Sequence, residues 1–329
     1  MIDVIFSGTG PLRSLALVAA AAIFAVVAPA SVSGATGETT LPGRIVSLVP
    51  AITETLFAIG AGPRVVGVST YCDYPEAAGP LPKVGTFTEP VAEVIVALRP
   101  DLVLTSPSPG NETSVRAIER TGVRVAVVQS EGGLKEARSA ILEVARQVGA
   151  GPAGEALMAG IDARLEAVRR ASAPLDRVKT AVVVGREPLV LAGPASYLGE
   201  LLQLAGGVNI AGEMGGRWPR VGMEFLVQAA PEVLVDLSAS MGETPAGGGT
   251  PVSNWSALQS VPAVANGRVV ADRASVMLRP GPRLAEAAEA LFVALHPGVA
   301  IPRSPSLATP APAPALPARS AATTGEGAR

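Results

Sequence analysis

Histidine and cysteine are nearly absent from this chain: His296 and Cys72 stand alone among 329 residues. One cysteine forms no internal disulfide, and one histidine cannot furnish the histidine clusters of most zinc sites, so histidine-rich metal chemistry is excluded. An excess of either charge is also missing. The 26 basic and 28 acidic residues leave a formal charge of -2 with no basic block, which argues against nucleic acid or an anionic membrane surface as the main partner. Lysine is confined to Lys83, Lys135 and Lys179, a compositional bias rather than a functional signal. Catalytic signatures are lacking as well. No phosphate-binding GxxxxGK[ST] run and no GxSxG nucleophile elbow occurs, and Gly60-Ala61-Gly62 with Gly67 follows a helix-like segment where a dinucleotide fingerprint follows a strand. A lone histidine makes a Ser-His-Asp triad improbable, and Cys72 has no basic neighbour in sequence and reads as a small packed residue. The chain therefore reads as a binding protein and not an enzyme.

What is present organises the rest. The length and a 48% hydrophobic content suggest two domains. Leu15 to Val27 is apolar and is followed by Ala28-Pro29-Ala30 and Ser33-Gly34-Ala35, so residues 1–35 resemble an export signal, with an uncleaved anchor as the alternative. That run is short for a span of about 20 residues, and no cysteine follows it to carry a lipid. Residues 301–329, rich in Pro, Ala, Ser and Thr, are expected to form a disordered tail.

Between these ends the pattern repeats. Pro100-Asp101-Leu102-Val103-Leu104 matches Pro231-Glu232-Val233-Leu234-Val235 at an offset of 131 residues. Strand-like Ile45 to Val49 precedes a helix carrying Ile52, Leu56 and Ile59, closed by Gly60; Ala181 to Val184 and Tyr197 to Ala205 repeat that order, closed by Gly206. Val123 to Val128 and Arg268 to Ala271 read as later strands, followed by helices Leu134 to Val148 and Arg283 to Leu295. Such alternation predicts an α/β fold of two small parallel-sheet lobes, residues 44–150 and 175–300. Residues 151–174 join them: Leu157, Ile161, Leu165 and Val168 make one apolar stripe on an amphipathic helix about 33 Å long. One stiff backbone helix limits hinge closure and leaves the ligand cleft between the lobes.

The same offset pairs Phe87 with Trp218 and Glu93 with Glu224. Two aromatics at equivalent loop positions would face each other across the cleft and suit a large planar ligand. Glu93 and Glu224 begin the helical segments Ala92 to Leu98 and Met223 to Ala229, where a carboxylate complements the helix dipole; as a repeated pair, they also fit a two-fold symmetric basic partner.

The run RIVSLVP followed by TETLFAIGAG, then VVGVSTYCDYP, IVALRPDLVL, LAGGVNI and RWPRV, resembles the periplasmic cobalamin-binding proteins of ABC importers. These belong to the helical-backbone substrate-binding proteins, alongside siderophore and haem receptors. The resemblance covers Arg44 to about Pro297 and implies a corrinoid held between aromatics, with no cofactor. It places Tyr71, Phe87 and Trp218 against the corrin and makes Arg279, in LRPGPRL, a contact to corrin amide oxygens. Arg283 reads equally as a structural residue. Glu93 and Glu224 match two surface glutamates that dock on arginines of a membrane permease dimer. A monomer in the periplasm is implied. The first-lobe platform, often tryptophan in the family, is Phe87 here, and the aromatic expected near Glu187 to Val190 is missing. Haem is the main rival ligand, with Tyr71 or Tyr74 as axial donor, and a ferric siderophore would use Arg217, Arg220 and Arg279. His296, ending the last helix before Pro297, reads as a structural cap.

Overall fold

The computed structural model describes residues 41–238, 255–271 and 275–302. The export-signal and tail expectations lie outside them. The first sheet contains β1 (Ile45–Ser47), β2 (Val65–Val68), β3 (Leu102–Thr105) and β4 (Arg124–Val127), in the order β2-β1-β3-β4 and parallel throughout. β1 and β3 are buried along their length, as central parallel strands covered on both faces must be. The connecting helices are α1 (Pro50–Ala58), α2 (Ala92–Ala97), α3 (Glu112–Glu119) and α4 (Leu134–Gln147). Pro50 opens α1, where its missing N–H is no loss, and Gly60 at φ 80° follows its end.

α5 (Gly151–Ser172) is the bridging helix; it begins at residue 151 and ends two residues before 174. Met158, Ile161 and Val168 are buried under it, and it packs on α4 and on the last helix, α9 (Leu284–Leu295). Each such aliphatic side chain contributes about 1.5 to 3 kcal/mol on burial, so α5 is anchored to both lobes by apolar contact.

The second sheet departs from the all-parallel expectation. Its strands are β5 (Val178–Arg186), β6 (Leu189–Leu191), β7 (Gly207–Asn209), β8 (Val233–Asp236) and β9 (Val269–Ala271). The order is β6-β5-β8-β9, with β7 also on β5. β7, β8 and β9 are in parallel pairings, but β6 runs antiparallel to β5. Only Glu187 and Pro188 separate those two strands, too short a link for a parallel crossover. β5 is longer than Ala181 to Val184 because β7 pairs with its first half and β6 with its second. The remaining helices are α6 (Tyr197–Leu204), α7 (Met223–Ala229) and α8 (Pro262–Ala265). The internal repeat is visible in three dimensions: α2 with β3, and α7 with β8, recur at the offset read from sequence.

Candidate functional site

In open α/β sheets ligands bind beyond the carboxyl ends of the strands, and the loops there carry the aromatics read from sequence. Beyond β2, Tyr71 is 52% exposed. Phe87, 37% exposed, sits 6.0 Å from Tyr71 between ring centroids, tilted by 58°. Trp218 is 42% exposed, whereas the other tryptophan, Trp255, is 1% exposed and donates to the Asp236 carboxylate at 2.7 Å. One tryptophan thus belongs to the core and the other to the surface of the cleft.

Local chain geometry explains how these rings are presented. Gly85, at φ 96°, starts the turn carrying Phe87, and a Cβ there would lie 2.5 Å from the Glu89 carbonyl. Glu89 N–H donates to Thr86 Oγ1 at 2.9 Å. Buried Asn111 then donates from Nδ2 to the Phe87 carbonyl at 3.2 Å and to that of Ser106 at 3.0 Å. Trp218 is held differently. Gly215 and Gly216 both take positive φ, and the segment after them is strapped to β6 and its continuation by Gly193 N–H to Arg217 O at 2.8 Å and Leu191 N–H to Pro219 O at 3.0 Å.

Sequence reasoning missed the partner of Trp218. Tyr197, capped at the α6 start by Ser196 accepting from Gly199 N–H, meets the Trp218 ring edge-on at 6.3 Å and 77°. Its hydroxyl donates to Met277 O at 2.8 Å. A cavity of about 370 Å³ opens here between the lobes, lined by Glu131, Val184, Tyr197, Trp218, Leu278 and Pro280 among others. Tyr71 and Phe87 pair with each other on the first lobe and do not line this cavity.

Arg279 lies on the floor between the lobes. Its Nη1 donates to Glu54 Oε1 at 3.1 Å and to Asp73 Oδ1 at 2.5 Å, and its Nη2 to the Tyr71 carbonyl at 3.2 Å. With 12% of its side chain exposed, it faces the first lobe and holds the backbone of Tyr71. Arg283 grips the fully buried Glu54 carboxylate with two hydrogen bonds, 2.8 and 2.6 Å, and lies 4.1 Å from the Tyr74 ring centroid. The structural reading of Arg283 fits this placement. The Arg279 guanidinium holds the Asp73 carboxyl below its ordinary range; burial pulls the Arg279 and Arg283 guanidiniums down, but their carboxylate partners outweigh it and raise both. A charge buried on the apolar helix α1 requires such a cation, and that was the signal in ITETLFAI that Glu54 has a distant partner. Beside this cluster, Gly281 abuts Ala51 so closely that a Cβ would meet its backbone at 3.2 Å.

Other ties cross nearby. Tyr197 N–H donates to Gly132 O at 3.0 Å, Leu134 N–H to Glu200 Oε2 at 3.3 Å, and Arg217 Nη2 to Glu131 Oε2 at 3.3 Å. Glu93 and Glu224 are each the second residue of their helices, α2 and α7, and are exposed beside exposed Val94 and Met223 respectively; neither lines the cavity. Cys72 is fully buried, with Thr53 Oγ1 donating to its Sγ at 3.1 Å. His296 caps α9, 9% exposed and 5.2 Å from the Phe292 ring. No cluster of three or more His, Cys, Asp or Glu residues is arranged to hold a metal ion, and no helix is long and apolar enough to cross a membrane, among the described residues.

Two α/β lobes on one bridging helix, with an aromatic-walled cleft between them, define a two-lobed solute-binding protein. The chain belongs to the periplasmic binding protein family, whose model matches residues 45–276. Members of this family bind solutes for transport and are not enzymes; what they hold is cargo and not a cofactor. The chain is 30% identical over 192 residues to the vitamin B12-binding protein of Vibrio campbellii, covering 58% of this chain and 69% of that one. It is 27% identical over 259 residues to the cobalamin-binding protein of Halobacterium salinarum, covering 78% and 70%. Among solved structures it resembles the periplasmic vitamin B12-binding protein of Vibrio cholerae, with TM-score 0.63, 26% identity, and 77% and 96% of the two chains covered. It also resembles the periplasmic haem-binding protein of Roseiflexus sp. RS-1 in apo form, with TM-score 0.67, 29% identity, and 76% and 97% covered.

Proposed function

We propose that this chain captures a corrinoid in the interlobe cleft and delivers it to the permease of an ABC importer. The observation that carries this reading is a pair of exposed aromatic groups, Tyr71 with Phe87 on the first lobe and Trp218 on Tyr197 at the interlobe cavity, where Glu131 is the one formally charged lining residue among the described residues. A large flat ring bearing neutral amides matches such walls better than one bearing carboxylates. Cobalamin-binding relatives support the same ligand. In this reading Tyr71, Phe87 and Trp218 contact the ring, Arg279 sets the position of Tyr71, and the protein works as a periplasmic monomer exported through residues 1–35.

Haem is the second reading, favoured by the exposed Tyr71 and by the resemblance to a haem-binding protein. Titration calorimetry with cyanocobalamin and, separately, hemin tests the assignment: one-site saturation by the corrinoid is expected. Absence of heat with cyanocobalamin and dicyanocobinamide, together with tight hemin binding, transfers it to haem. Glu93 and Glu224, exposed on repeat-related helices, dock the permease. The double change Glu93→Ala with Glu224→Ala is expected to lower ATP-driven transport by reconstituted permease at limiting protein concentration; undiminished transport returns both to helix-end stabilisation.

A further inference from the structure

Glu131 lies in the loop between β4 and α4 and brings a carboxylate into the lining of the cavity. Its Oε2 accepts from Arg217 Nη2 at 3.3 Å, and Arg217 immediately precedes Trp218. The other arginines of the cleft floor are engaged as well, Arg279 with Glu54 and Asp73, Arg283 with Glu54. An anionic side group drawn to Arg217 would have to take it from Glu131, and would leave that carboxylate facing its own negative charge. A ligand with neutral amides leaves the pair as it is.

We infer that Glu131 is a positioning residue that sets the charge selectivity of the cleft, by holding Arg217 away from the ligand and presenting negative charge beside Trp218, so that planar ligands with neutral side groups are preferred over those with carboxylates. This rests on reading the cleft as a site for a large planar ligand. Both side chains are partly exposed, 41% for Arg217 and 62% for Glu131, so screening by water limits the effect to about threefold to fivefold in affinity ratio.

The test uses the full chain and two corrins of one ring system: dicyanocobinamide, with amide side chains, and dicyanocobyrinic acid, with carboxylates. The quantity read is the ratio of their dissociation constants. Glu131→Gln is expected to shift that ratio about threefold toward the acid, Glu131→Asp to restore much of the original preference, and Arg217→Gln to shift it the opposite way, because Glu131 then stands unopposed. Raised salt should shrink every shift. A merely structural role would move both glutamine variants in the same direction or leave the ratio untouched, and either result overturns the inference. Should the wild-type chain bind hemin and neither corrin, the corrinoid reading fails, and the same ratio measured with hemin and its dimethyl ester decides the role of Glu131.

Discussion

The two aromatic walls are built by different means. Tyr71 and Phe87 are both exposed, and each is fixed through its own carbonyl by a side chain from elsewhere: Arg279, from the second lobe, and Asn111. Trp218 instead rests on Tyr197, which is 5% exposed, and its segment is strapped to β6 by main-chain hydrogen bonds. One wall depends on long-range side-chain ties, one of which crosses between lobes. The other is set by local backbone pairing, which substitution of a side chain leaves intact. Mutations outside the cleft should therefore reach the first wall more readily than the second.

Glu54→Ala strikes the first wall's tie and carries the largest expected effect. It leaves two guanidiniums in a buried site without their shared carboxylate, a loss of about 3 to 5 kcal/mol in unfolding free energy by urea denaturation. A change below about 1 kcal/mol would mean that the cluster does not hold the lobes together. Trp218→Ala sharpens the contrast from the other side. It should weaken corrinoid binding by about 1 to 3 kcal/mol in calorimetry while stability stays within about 0.5 kcal/mol, since an exposed ring is removed and the strap remains. A large drop in stability with unchanged affinity would make Trp218 a packing residue. Asn111→Ala should cost about 1 kcal/mol of stability and lower affinity through Phe87, while leaving Trp218 in place, seen as unaltered tryptophan fluorescence of the free protein.

Acid should divide the two lobes more gently. Burial, with Arg268 adding repulsion and the Ala205 carbonyl opposing, lowers the His296 pKa from its ordinary 6.5. The folded state therefore binds its proton less readily than the unfolded one, so this contribution to stability is intact above about pH 6.5 and is lost as pH falls from there toward the folded value. Asp73, lowered from 3.8 chiefly by its hydrogen bond to Arg279, begins to lose its contribution only as pH falls toward and below that value. Between pH 7 and 5.5 the urea midpoint should drop in the wild type and drop less in His296→Gln; equal drops would place the sensitivity elsewhere.

Much of this architecture was legible in the residues. The repeat offset rests on apolar runs and helix starts, which local periodicity records, so it located Phe87, Trp218, Glu93 and Glu224 at matching points of the two lobes. The long stripe of Leu157, Ile161, Leu165 and Val168 marked α5 for the same reason. β6 escaped because three residues after a proline carry too little pattern to separate a strand from a loop. Tyr197 escaped because its contact depends on a ring farther along the chain, and the convergence of Glu54 and Asp73 on Arg279 escaped because the partners lie 225 and 206 residues apart in sequence.

The contact of Gly281 with Ala51 has a mechanical meaning. Where two bodies meet through side chains, their spacing breathes with every rotamer change, as between jaws closed on a spring. Here the glycine main chain meets the main chain and single methyl group of alanine, neither of which has a rotamer to change, so the jaws close on a fixed stop. The methyl group of alanine at 281 would act as a shim a few tenths of an ångström thick, opening the gauge at its root and changing the width measured at the aromatic walls.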